Sequence, residues 1–404
     1  MWAGSPGQEE PGPDPHPGAS LRVVLVTAGQ GDAVWERFGH TALWIQDEET
    51  GRGAAYNWGI FDFGQVNFMG RLIRGTMLYR MAPLDPFASL EEYRAAGRRV
   101  WLQELDLTPA QRLNLLAFVQ WNALPENRDY RYDYYRDNCS TRVRDALDRV
   151  LEGALRETME AVPTEDSYRW HTRRLLQDVP WAYAGIQVVL GPRADAPLTA
   201  WDEMFLPRGL MRRLSEMEIR GLEGGLRPLV KEERLFLESS RPPAPEEPPL
   251  ALPWFLGLAV LWGGAILLLV RGGGEVGWGR RLALTVLAGG WALVAAALGV
   301  LILGAWIFTD HVFWHHNYNL LQVNPLFLPL PFAFVWYLVR GRFPRWAREM
   351  AAALAVVAVV GALMQLLPGL GQANGELLAL TVPMDLALGW AAVVLASTPG
   401  TDIR

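Results

Sequence analysis

The sequence predicts an α+β domain followed by an all-α bundle of five transmembrane helices, and three observations carry that prediction. Most of the charge lies in residues 1–250, whereas 251–404 are nearly continuous apolar runs. The mean hydropathy of +0.08 therefore averages two unlike halves. In the first half, alternating strand-like runs are interleaved with capped helical patterns. In the second, the segments 252–270, 282–308, 320–339, 349–367 and 376–397 each approach or exceed the roughly 20 residues a bilayer requires. The chain divides accordingly into a leader (1–19), an extracytoplasmic domain (20–240), a proline-rich linker (241–251) and a membrane domain (252–398).

Taken in order, the leader is acidic and rich in Pro and Gly, the composition of a disordered segment. It has neither a basic nor an apolar signal region, so it does not read as a signal peptide. Two readings stay open: the start lies upstream, or the first membrane helix exports what precedes it. Leu21 to Thr27 is strand-like and closes in a Gly-rich turn. Phe38 to Asp47 alternates, with His40, Ala42, Trp44 and Gln46 on one face, and Ala54 to Trp58 is its expected partner. Thr76 to Ala82 and Arg98 to Leu107 are further strands. Ser89 with Glu92, and Thr108 with Gln111, read as capping boxes opening two helices. Residues 151–235 read as mainly helical.

The connections between membrane segments are lopsided in charge. Arg271, Arg280 and Arg281 lie between the first two, and Arg340, Arg342, Arg345 and Arg348 between the third and fourth. The connections at 309–319 and 368–375 carry no Lys or Arg. The positive-inside rule places the Arg-rich loops and the C-terminus in the cytoplasm and the first domain outside. A net charge of −6 with no basic tract argues against a nucleic-acid partner. One cysteine permits no internal disulfide.

That cysteine, Cys139, sits where a tyrosine-rich run (Tyr130, Tyr132, Tyr134, Tyr135) gives way to a helical pattern. A lone cysteine is commonly a small buried hydrophobe. Here polar neighbours flank it, Asp137 or Asn138 can cap the helix, and Arg142 and Arg144 add positive charge. A helix N-terminus favours thiolate over thiol, so Cys139 is the candidate nucleophile. His40, beside Gly39, is the candidate base, with Asn57 or Asp62 as its orienting partner. Backbone N–H groups after Cys139 are candidates to hold an oxyanion. Tyr132, Tyr135, Asn138, Arg142, Trp314, His315, His316, Asn317 and Asn319 are assigned to substrate contact, with Tyr134 lining the same entry. Three of the six histidines (His311, His315, His316) crowd one outer loop, but only Asp310 accompanies them. No metal and no cofactor are expected, and these rings read as interfacial anchors or as lining an approach to the site.

The order histidine, strand, then cysteine at a helix start resembles circularly permuted papain-like folds (NlpC-like), such as lecithin:retinol acyltransferases and permuted NlpC-type peptidases. More closely, FGHTALWI, YNWGIFDFG, PENRDYRYDYYRDNCSTRVRD, MFLPRGL and HHNYNLLQVNPL resemble the Lnb-type bacterial lipoprotein N-acyltransferases, over residues 20–395. That resemblance implies catalytic roles for His40 and Cys139. It also implies transfer of an acyl chain from a membrane phospholipid, through a Cys139 thioester, to the α-amino group of a lipoprotein's diacylglyceryl cysteine, at the bacterial inner membrane. Competing readings are a cell-wall cysteine amidase or peptidase, a phospholipid acyl hydrolase, and a membrane scaffold without activity.

Overall fold

The computed structural model describes residues 17–61, 64–220, 224–271 and 276–397. The candidate Asp62 lies outside the described residues. The chain forms two compact units. The first comprises residues up to Phe68, then Met77–Thr164 and Leu198–Ala244; the second comprises Met69–Thr76, Glu165–Pro197 and the chain from Pro245 onward. Compactness thus departs from the linear boundary expected at 241–251: residues 165–197 group with the apolar helices.

The first unit is built on a seven-stranded antiparallel sheet. Its early strands are β1 (Leu21–Ala28), β2 (His40–Asp47), β3 (Gly53–Phe61), β4 (Leu78–Leu84), β5 (Val100–Leu105) and β6 (Asp129–Arg131). With the late strand Val230–Leu237 the order is Val230–Leu237, β5, β1, β2, β3, β4, β6. The β1–β2 register pairs Ala28 with His40, and the β2–β3 register pairs Ala42 with Asn57. Between Asn57 and Ile60 the β3–β4 ladder is interrupted, so the strand bends at Trp58-Gly59.

Four helices arise in the first part of the chain: α1 (Phe68–Arg74), α2 (Pro86–Ala95), α3 (Pro109–Ala123) and α4 (Cys139–Val150). The expected capping box at Thr108 forms, with the Gln111 backbone N–H on Thr108 Oγ1 and the Gln111 side chain returning to the Thr108 N–H. The one expected at Ser89 does not. Asp85 caps α2 instead, accepting from the Ala88 N–H at 2.8 Å, with Pro86 in the first turn where a missing N–H costs nothing. One sheet face buries Leu25, Leu43, Ile45, Tyr56 and Trp58 against Leu115 and Val119 of α3 and Val143 and Leu147 of α4. The strand Val230–Leu237 lies in a stretch read as mainly helical. Its residues are nearly all exposed and its partner, β5, is more than a hundred residues away, so local pattern gave no hint of it.

The later helices are α5 (Ala154–Glu160), α6 (Tyr168–Leu176), α7 (Pro180–Val189), α8 (Ala200–Glu203), α9 (Pro207–Ser215), α10 (Leu252–Val270), α11 (Trp278–Leu284), α12 (Gly290–Phe308), α13 (Pro329–Arg340), α14 (Arg345–Met364) and α15 (Gly375–Ser397). Helices α11 and α12 run on through a π-helical turn, Thr285–Gly289, as one 31-residue apolar element. With α10, α14 and α15 this gives, among the described residues, four helices long and apolar enough to cross a membrane. The expected third span is broken: Tyr318–Phe327 and α13 meet at 44°, so five spans result only where this bent pair counts as one. Pro325, Pro329 and Pro331 explain the break, because each removes a backbone donor.

The second unit's core uses small residues where helices meet. A Cβ on Gly389 of α15 would lie 3.0 Å from Ala355 Cβ of α14, and one on Gly263 of α10 would lie 3.4 Å from Ala387 Cβ. Close backbone approach is how apolar helices gain packing energy where lipid removes the hydrophobic drive. Leu, Val and Phe side chains such as Leu261, Leu268, Val300, Phe308 and Phe332 are exposed. A buried carboxylate, Asp385, accepts from the Trp291 indole at 2.9 Å and ties α15 to α12.

Candidate active site

Cys139 is the first residue of α4, and the way that helix starts fixes the thiol. Asp133 and Asp137 exchange both backbone hydrogen bonds, closing a small loop immediately before it. Asn138, not Asp137, is the cap. Its Oδ1 accepts from the Ser140 and Thr141 N–H groups at 2.8 and 3.0 Å, and its Nδ2 donates to the carbonyls of Tyr134 and Phe205 at 3.0 Å each. Every hydrogen bond its amide makes here is spent on scaffold, which replaces the expected substrate contact.

His40 opens β2. A Cβ on the preceding Gly39 would fall 2.8 Å from the Ala28 carbonyl, so a side chain there has no room. His40 Nε2 lies 3.0 Å from Asn57 Oδ1, and Asn57 Nδ2 donates to the Ala55 carbonyl at 2.9 Å. With its amide nitrogen so engaged, Asn57 presents oxygen, so His40 carries its proton on Nε2 and leaves Nδ1 for the thiol. The register explains the contact: Asn57 lies opposite Ala42, which shares a strand face with His40.

His40 and Cys139 lie close enough that each acts on the other's charge. Burial pushes the thiol up. The His40 charge and hydrogen bond, helped by the backbone N–H groups of Thr41 and Ser140, outweigh it, and the thiol sits below its ordinary value. Burial pulls the imidazole down, but the Cys139 charge and hydrogen bond and the Asn57 contact leave it above its ordinary value. Each partner therefore favours the other's charged form.

The β3 bend completes the wall. Gly59, at φ 90°, brings its backbone so near that a Cβ there would sit 3.4 Å from Cys139 Cβ. Tyr132 stacks on Tyr79 with ring centroids 4.0 Å apart. Burial, then the Cys139 charge, raise the Tyr132 hydroxyl well above its usual range, so it stays protonated and can donate. Sequence reasoning missed Gly59, Tyr79 and the Thr41 N–H. The glycine interrupting the aromatic run YNWGIF was the available signal; a backbone N–H leaves none.

Several assigned residues prove to be committed elsewhere. Tyr135 is buried edge-on against Phe205 and Tyr134, inside the packing rather than lining an opening. Arg142 pairs with Asp137 and lies 4.2 Å above the Tyr130 ring, and Arg144 pairs with Asp145 above Trp201. Their charges are answered locally; the thiol is lowered by His40 and backbone.

In the second unit, the stretch from Trp314 to Asn319 turns out to be a helix clamp. Asn317 Nδ2 donates to the carbonyls of Val188 and Val189 at 2.8 and 3.0 Å, and Asn319 Nδ2 to those of Gln187 and Val188 at 2.9 Å. These belong to the last turn of α7, whose carbonyls have no partner within the helix. Both asparagines are buried, and Gln372 and Asn374 donate to their oxygens. His315 Nε2 meets the Thr309 carbonyl at 3.0 Å, His316 faces Trp306, and Trp314 stacks on His311. The three imidazoles are engaged separately and form no ligand set.

A thiol–imidazole–amide row at a helix start, in a chain that goes on to membrane-spanning helices, defines a class of membrane-anchored Cys/His proteins. Comparison with family models narrows it. The Lnb N-terminal periplasmic domain matches residues 16–177 and the Lnb transmembrane domain matches residues 258–372. The chain belongs to the Lnb family. It is therefore an inner-membrane protein with a periplasmic domain and a lipoprotein-modifying enzyme. No curated protein and no solved structure matched it.

Proposed function

We propose that this protein is a lipoprotein N-acyltransferase working through a Cys139 thioester. His40 Nδ1 takes the thiol proton and Asn57 holds the ring in the tautomer that can accept it. The thiolate attacks an acyl ester of a membrane phospholipid, the carbonyl oxygen gathers charge against the Thr41 N–H, since Asn138 already takes the Ser140 and Thr141 N–H groups, and the lysophospholipid leaves with the proton from His40. The α-amino group of a diacylglyceryl-cysteine lipoprotein then attacks the thioester, His40 again taking the proton, and free Cys139 is regenerated. Thioesters acylate amines readily, which suits a cysteine here better than a serine.

The order of β2 before α4 supports a permuted papain-like origin for the domain. The charge of the loops supports a periplasmic first domain and a cytoplasmic C-terminus, with 20–240 and 252–398 as successive parts of the chain. The single observation that carries the reading is the mutual pairing of Cys139 with His40, steadied by Asn57, in a chain of this family. Mass spectrometry of a lipoprotein N-terminal peptide, with and without this protein, tests it. The expected result is one additional N-linked acyl chain. An unchanged acyl count alongside altered cell-wall fragments would point to an amidase, and free fatty acid in place of the amide to a hydrolase.

A further inference from the structure

Between β3 and β4 the chain leaves the sheet and returns to it, Phe61 pairing with Tyr79 across the gap. Within this excursion lies α1, and its polarity is the reverse of what a water-facing helix needs. Met69, Leu72 and Ile73 fall at i, i+3 and i+4, so they share one face. That face is open: Met69 is 61% exposed and Ile73 64%. Val66, just before the helix, is 85% exposed. Arg71 and Arg74 flank these apolar side chains, and no acidic residue lies in α1.

What α1 is fastened to says what covers that face. The Asp310 N–H donates to the Arg74 carbonyl at 2.8 Å, the His311 imidazole approaches the Leu72 carbonyl at 3.4 Å, and the same ring packs against Gly75. Asp310 and His311 are the residues just beyond α12, an apolar helix long enough to cross a bilayer and ending at Phe308. Ile307 and Phe308 are themselves exposed, Phe308 by 75%. The open face of α1 is thus tied within a few residues of the point where a lipid-facing helix stops, the level of the headgroup boundary. Trp306 and Trp314 belong to the same stretch, as interfacial anchors do.

We infer that α1 is an interfacial membrane-binding helix, its Met69–Leu72–Ile73 face set among acyl chains and Arg71 and Arg74 among anionic phospholipid headgroups. An amphipathic segment with apolar residues on one side and arginines beside them suits that boundary. The inference does not depend on acyl transfer, and its test reads depth rather than activity.

The full chain carrying Cys139→Ala receives single cysteines by Met69→Cys, Ile73→Cys, Phe308→Cys and Glu49→Cys, the last in the exposed β2–β3 turn. Each is given a nitroxide and reconstituted in nanodiscs of phosphatidylethanolamine and phosphatidylglycerol. Collision with oxygen, which concentrates in lipid, is compared with collision with a water-soluble nickel chelate. Labels at 69 and 73 should follow 308, rich in oxygen collisions and poor in nickel. In discs without phosphatidylglycerol, or with Arg71→Gln and Arg74→Gln, they should shift toward the 49 profile. Labels at 69 and 73 that match 49 throughout would overturn the inference. So would labels shielded from both reagents, which would indicate a protein partner on that face.

Discussion

Two polar stretches stand out in this sequence, FGH with DNCS around His40 and Cys139, and HHNYN from His315 to Asn319, and the structure uses them in opposite ways. In the second, the amides of Asn317 and Asn319 saturate the carbonyls that end α7, and the imidazoles rest on a carbonyl or an indole. In the first, scaffold atoms are saturated so that reactive ones are not. Asn138 absorbs the N–H groups of the α4 start and Asn57 takes one nitrogen of His40, leaving Nδ1 and the thiol to each other. Residue type does not separate the two cases. What separates them is whether the hydrogen-bond inventory closes without the reactive atom.

The sharpest way to break that contrast is to delete the reactive pair. Cys139→Ala and His40→Ala should each lower N-acylation by at least about 10³-fold, since both nucleophile and proton transfer are lost, while the protein keeps its thermal midpoint. Asn57→Ala should cost about 10²-fold through a misplaced ring, and Asn57→Gln should recover little because the longer side chain moves the oxygen. Asn319→Ala should behave in the opposite manner. Activity per folded molecule should hold, but uncapped buried carbonyls should remove about 1–3 kcal/mol, read as a lower thermal midpoint in detergent.

The pH dependence of thiol alkylation sharpens the comparison further. Cys139 lies below its ordinary value because His40 favours thiolate, so its alkylation midpoint should fall below that of a free thiol. Removing that charge and hydrogen bond in His40→Ala leaves burial opposing only the backbone N–H groups, and the midpoint should rise. The smallest effect is expected of Arg142→Gln, whose partly exposed pair with Asp137 is worth about 1 kcal/mol and whose loss should leave the midpoint in place.

Much of this was legible in the sequence because local chemistry determined it. The capping box at Thr108 and the strands around His40 follow from patterns a few residues long, and Cys139 stood out because its neighbours could cap a helix but not bury one. Legibility failed where the deciding partner lay far along the chain. The strand Val230–Leu237 exists because β5 offers it an edge, and Asn317 is structural because α7 ends beside it. Arg142 looked available to the thiol from its spacing, but Asp137 and the Tyr130 ring hold it. The proline-broken third span was written in Pro325, Pro329 and Pro331, and hydropathy alone passed over it.

The central claim is that Cys139 itself carries the acyl group. The direct measurement is intact and peptide mass spectrometry of the protein purified with membrane phospholipid but without lipoprotein acceptor. The account predicts an acyl chain on the Cys139 peptide that hydroxylamine removes, that disappears on adding acceptor, and that never forms in His40→Ala. Continued N-acylation with Cys139 free throughout turnover, or an acyl chain carried on another residue, would contradict it.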